Sequence, residues 1–195
     1  RGIQEGNGIP KDSDMWVSYS MNKEDIWVAH VPVPVKTVAT AHADDDFAQY
    51  QKLGDLKTWN IYSPLMAPVS LRQEWLELKD EDPFDYACVE RKIPSSSYLK
   101  ASFDVQAAQT RNGSLQIEFL DEKGIACTRI ELNKEGMIRV KNGARYGNVM
   151  PYQADQTYRF EATLDTQHRQ LNLTVSTLGA DGKALQSKST KRIFY

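Results

Sequence analysis

The sequence predicts an all-β protein, an antiparallel two-sheet β-sandwich. Three observations predict it. Apolar and polar side chains alternate cleanly over residues 98–132: Leu99, Ala101, Phe103 and Val105 oppose Lys100, Ser102 and Asp104, and Leu115, Ile117 and Phe119 oppose Gln116 and Glu118. Successive strand side chains point to opposite faces, so period two means one face buried and one wet. Turn chemistry recurs between such runs, at Asn112-Gly113, at residues 121–124 and at residues 179–182. These connections are too short for crossover helices, which disfavours a parallel sheet and leaves two sheets packed apolar face to apolar face.

Residues 1–13 are polar, carry Gly2, Gly6, Gly8 and Pro10, and read as an irregular lead-in. Residues 15–20 and 26–31 are β-rich runs around a polar connector, the pattern of a hairpin. Pro32 and Pro34 force an extended exit. Asp44-Asp45-Asp46 ahead of Phe47, Tyr50 and Leu53 reads as the cap of a short helix. Strands are expected within residues 55–62, 75–79, 84–93 and 136–140, with Asp80-Glu81-Asp82-Pro83 as a solvated turn. Residues 98–132 are expected to form one meander, and residues 142–153, with Gly143 and Gly147, a loop. Residues 158–164 and 171–175 alternate again, and residues 185–195 read as a closing edge strand.

Composition narrows the classes. The 195 residues, 41% hydrophobic and 26% charged, suffice for one large β domain or a domain with an appendage. A net charge of -2 offers no basic stripe for nucleic acid. No apolar run approaches the roughly 20 residues of a membrane helix. The chain starts at Arg1 without Met or signal peptide, which suggests a piece of a longer protein. Cys88 and Cys127 both fall in expected strands. They either pair as one disulfide or stay as two small buried thiols, and no His near them suggests zinc.

The run at 13–28, SDMWVSYSMNKEDIWV, resembles the end of sialidase-like, BNR-repeat β-propeller proteins of Bacteroidetes type, where this hairpin closes the propeller. The stretches WNIYSP at 59–64 and WLELKDEDPFDYA at 75–87 resemble the linker and first strands of their C-terminal jelly-roll, a concanavalin/laminin-G-like sandwich. The resemblance implies a propeller-derived hairpin and linker over 1–68 and a β-sandwich domain over 69–195. It also implies a secreted or periplasmic protein that works on complex polysaccharides, with the upstream propeller as partner. The role expected is a C-terminal accessory region that braces the propeller and touches glycan. Two other readings stand: a structural or assembly module without ligand, and part of an autonomous glycoside hydrolase or polysaccharide lyase.

The candidate sites follow these readings. A retaining sialidase uses a Tyr nucleophile, a Glu partner, an acidic acid/base and an Arg cluster. Tyr19, Glu24 and Asp25 offer the first three types, but no arginine lies between Arg1 and Arg72. A packed Tyr19 above a solvated hairpin tip is the competing account. His30 and His42 are candidate acids or bases. For carbohydrate binding, Trp75 sits on the polar side of its strand, and Tyr146 and Tyr152 accompany Arg145 and Asn148 in the Gly-containing stretch. Trp75 packed on the hairpin and tyrosines covering a sheet edge form the alternative. Calcium is a candidate at Asp44-Asp45-Asp46, but consecutive residues rarely converge, so a helix cap is favoured; no metal ligand is assigned. Trp16 and Trp27 are expected to pack on the sandwich or on another chain.

Overall fold

A computed structural model of the chain describes residues 2–4, 15–21, 25–31 and 39–195. The chain is all-β, with fifteen strands among the described residues and only two single 3-10 turns. It divides into two compact units, residues 1–94 and 95–195. The sandwich boundary expected at residues 68 and 69 falls inside the first of them.

The second unit is the sandwich. Its strands are β8 (Tyr98–Gln106), β9 (Leu115–Leu120), β10 (Ala126–Leu132), β11 (Met137–Asn142), β12 (Arg145–Pro151), β13 (Thr157–Asp165), β14 (Gln170–Leu178) and β15 (Ala184–Phe194). One sheet has the order β12-β11-β10-β9 and the other β15-β14-β13-β8, with every pairing antiparallel. The inward faces meet in one core: Ile130, Leu132, Ile138 and Val140 from the first sheet, and Phe160, Ala162, Leu164, Leu171, Leu173 and Val175 from the second. Phe103 and Phe160 are cross-strand partners and stack with centroids 5.5 Å apart.

Residues 98–132 do not form one meander. β9 and β10 make the expected hairpin, but β8 leaves them and pairs with β13 in the facing sheet. Alternation states which face a strand buries, not which neighbour it takes. The connection over residues 107–114 is long enough to change layers. Residues 145–151 are a strand rather than a loop. Ile138 opposes Met150 while Arg139 opposes Asn148, so Val149 is an extra bulge residue. Val149 and Met150 are both buried, which breaks the alternation that would have revealed the strand.

The first unit holds three small sheets. β1 (Gly2–Gln4), β2 (Met15–Met21) and β3 (Asp25–Val31) run in that order, so the expected hairpin is present and part of the expected irregular lead-in is a strand. β1 covers an edge of β2 that would otherwise expose unpaired backbone groups. β4 (Trp59–Tyr62) pairs with β7 (Cys88–Arg91), and β5 (Val69–Arg72) with β6 (Trp75–Leu78). Asp46 caps the 3-10 turn Phe47–Gln49 by accepting from the Ala48 N–H at 3.0 Å, the capping role expected for this acidic run. The packing of Trp16 and Trp27 lies outside the described side chains.

Candidate glycan-binding cleft

The β4–β7 ladder has two unlike faces. In its register Trp59 opposes Arg91, Asn60 opposes Glu90, Ile61 opposes Val89 and Tyr62 opposes Cys88. Trp59 and Arg91 therefore share one face, and Asn60, Glu90, Tyr62 and Cys88 the other. The first face is fastened to residues 40–47. Arg91 Nε donates to Asp45 Oδ2 at 2.6 Å, Arg91 NH2 donates to Thr40 Oγ1 at 2.9 Å, and Trp59 packs on Phe47 at 5.7 Å.

The second face forms a cleft of about 300 Å³ lined by Asn60, Ile61, Tyr62, Tyr86, Cys88 and Glu90. Tyr62 and Tyr86 are 51% and 63% exposed, with ring centroids 6.1 Å apart and planes at 60°. Large aromatic rings left in water beside a concavity offer apolar faces to a ligand. Tyr62 Oη donates to Asp85 Oδ2 at 2.7 Å, which fixes that ring. Asn60 Nδ2 donates to Glu90 Oε2 at 3.4 Å, and Lys92 Nζ pairs with the same oxygen at 3.2 Å. The cleft thus combines ring faces with carboxylate and amide acceptors, the pair of functions that sugar recognition requires.

These residues escaped the sequence reading. Locally, Tyr62 is one strand aromatic among several, and Asp85 follows closely on an acidic turn. Twenty-three residues separate Tyr62 from Asp85, and only the antiparallel pairing of β4 with β7 joins their neighbourhoods.

The residues singled out from sequence are scattered. Trp75 is half-buried at the start of β6, opposite Arg72 and on the same face as Glu77. Tyr146 and Asn148 lie on the outer face of the β9–β12 sheet, opposite Lys141 and Arg139. The Arg139 guanidinium sits 4.5 Å from the Tyr146 ring centroid and occupies one of its faces. Arg139 in turn donates to Glu131 at 2.8 Å, and Arg129 pairs with Glu118 on the same face. Arg145 is exposed at the end of β12.

Tyr152 departs from the expectation. It is 6% exposed within the core, and its hydroxyl donates to the Asn133 carbonyl at 2.9 Å, so its ring is withheld from ligand. Burial also pushes its phenol above the ordinary tyrosine range. A second cleft, of about 340 Å³, opens at one end of the sandwich between Thr110, Arg111, Glu135, Met137, Pro151 and Gln153. Tyr152 is the aromatic residue in its lining, and its burial leaves that cleft without an exposed ring.

The side chains of Tyr19, Asp25 and His30 lie outside the described residues, as does Glu24 altogether. His42 is exposed. The acidic run at 44–46 does not converge: Asp45 is committed to Arg91 and Asp46 to the cap. Among the described residues no three His, Cys, Asp or Glu groups gather at metal-binding distance. No disulfide joins Cys88 to Cys127. No helix among the described residues is long and apolar enough to cross a membrane.

The chain is thus an all-β module built on a β-sandwich, with an aromatic-lined cleft on its β4–β7 ladder. The chain belongs to the family described as sialidase-like, CBM domain, whose sequence profile matches residues 59–193, from β4 to the end of β15. It is similar over its whole length to a solved structure named sialidase, at 55% identity and a TM-score of 0.77. It spans 17% of that sialidase's chain and is thus homologous to part of a larger protein. No curated protein matches the chain.

Proposed function

We propose that this chain is a glycan-binding accessory module of an exported, sialidase-like polysaccharide-degrading protein. The observation that carries the reading is the cleft in which Tyr62 and Tyr86 expose their rings beside Glu90 and Asn60. A pyranose has C–H-rich faces that lie against aromatic rings and hydroxyls that donate to carboxylates. Membership in a sialidase-like CBM family and homology to 17% of a sialidase support an accessory rather than a catalytic role. On this reading the module holds glycan while chemistry proceeds elsewhere in the protein, and it braces the catalytic propeller.

Calorimetric titration of the chain with a panel of plant and host oligosaccharides tests the proposal. Heat of binding is expected, with Tyr62→Ala and Tyr86→Ala each weakening affinity about tenfold. Tyr146→Ala, whose ring already carries Arg139, is expected to leave affinity unchanged. Silence of the wild-type chain across the panel would favour a structural module, and glycan turnover by this chain alone would move it to the hydrolases or lyases.

A further inference from the structure

We infer that Leu65, Met66 and Phe84 form a docking surface for a neighbouring domain of the longer protein that carries this chain, a domain whose contact patch is apolar with a basic rim. This rests on the accessory role proposed above and not on the cleft, since none of the three side chains lines it.

Two loops carry the surface, residues 63–68 between β4 and β5 and residues 79–87 between β6 and β7. Two hydrogen bonds tie the loops side by side. Tyr62 Oη donates to Asp85 Oδ2 at 2.7 Å, and the Glu81 N–H donates to the Met66 carbonyl at 2.9 Å. Leu65 lies between Tyr62 and Met66, and Phe84 between Glu81 and Asp85, so both stand on adjoining strips of backbone.

Phe84 is 95% exposed, Leu65 82% and Met66 51%. Neither loop is slack. The Ala67 N–H donates to the Pro64 carbonyl at 3.1 Å. Asp80 accepts from the Asp82 N–H at 3.0 Å, and Asp82 from the Phe84 N–H at 2.9 Å. An ordered backbone thus presents large apolar side chains to water. Covering such a cluster is favourable, and clusters of this kind mark interaction surfaces.

Two observations fix the occupant. The chain spans 17% of the sialidase to which it is 55% identical, so that homologous protein holds several times more polypeptide than this module. The rim supplies the second. Asp80, Asp82 and Asp85 share the loop of Phe84, and Lys79, the single cation of residues 79–87, pairs with Glu81 at 2.9 Å. A partner with Lys or Arg around an apolar centre matches that charge. A second copy of this chain would set the same acidic loop against itself.

Hydrogen exchange read by mass spectrometry compares the isolated chain with the longer protein. Peptides covering residues 63–68 and 80–86 are expected to exchange about tenfold more slowly in the longer protein, and added salt is expected to shrink the difference. The double variant Leu65→Ser, Phe84→Ser is expected to abolish the slowing. It is expected to leave the urea midpoint of the isolated chain unchanged, because both side chains are exposed there. Equal exchange in the two proteins overturns the docking surface, as does slowing that the double variant retains. An isolated chain that sediments as a dimer, and as a monomer with Phe84→Ser, assigns the surface to a second copy and overturns the proposed partner. Glycan binding is read separately, as heat on titrating the isolated chain with the oligosaccharide panel, and stands or falls whatever the exchange shows.

Discussion

Thr128 shows how much a single polar atom decides in the sandwich. Its side chain is 1% exposed and its hydroxyl has no hydrogen-bond partner. Burying an unpaired hydroxyl costs free energy, so Thr128→Val, which keeps the shape, is expected to stabilise the fold by about 1 kcal/mol. A higher urea midpoint with an unchanged slope would show it, and a lower midpoint would refute it. Cys127, the neighbouring bulge residue, donates its thiol to the Phe119 carbonyl at 3.0 Å. Burial pushes that thiol up from its ordinary value, so it stays protonated at neutral pH. Alkylation followed by mass spectrometry is expected to label Cys127 slowly in the folded chain and quickly in urea. Asp165 shows the opposite shift. His168 Nδ1 donates to it at 2.7 Å, and its carboxyl is held below the usual range first by that bond and then by the His168 backbone N–H. A lowered carboxyl stabilises the fold above its ordinary pKa and loses that contribution as pH falls through the folded value. NMR titration is expected to find Asp165 protonating below the ordinary carboxyl range, and His168→Ala to raise that point.

At the scale of elements, pairs on the ladders differ in worth according to their exposure to water. Arg159 makes a bidentate bridge to Asp104 across β13 and β8, both bonds 2.8 Å, on the open face of its sheet. The side chains are 41% and 31% exposed, so Asp104→Ala is expected to cost about 0.5 kcal/mol or less. Arg91 and Asp45 are only 14% and 13% exposed and tie the β4–β7 ladder to residues 40–47. Arg91→Ala strands a shielded carboxylate, and a loss of about 3 kcal/mol is expected in the same denaturant assay. On β14 and β15 the outward rungs are neutral instead: Thr174 meets Ser189 at 2.9 Å and Ser176 meets Ser187 at 2.8 Å. These hydroxyl rungs satisfy the sheet face without charge. The alternation of these strands is plain in the sequence. The strand at 145–151 was hidden because one bulge residue sends Val149 and Met150 the same way.

At the scale of the whole molecule, the second unit carries its own core from Ile130 to Ile193. Residues 95–195 expressed alone are therefore expected to unfold in one cooperative thermal transition. The same fragment lacks Tyr62, Tyr86 and Glu90 and is expected to bind no sugar at the proposed cleft. The all-β class, the hairpin at 15–31, the capping role of the acidic run and the faces of β8, β13 and β14 follow from local order along the chain. Periodicity and turn chemistry act over a few residues, and they are written there. The partner of β8, the burial of Tyr152 and the meeting of Tyr62 with Asp85 and Tyr86 follow from pairings between segments far apart in the chain. Alternation constrains a strand's faces but carries no address for its neighbour, so the cleft exists only once β4 has found β7.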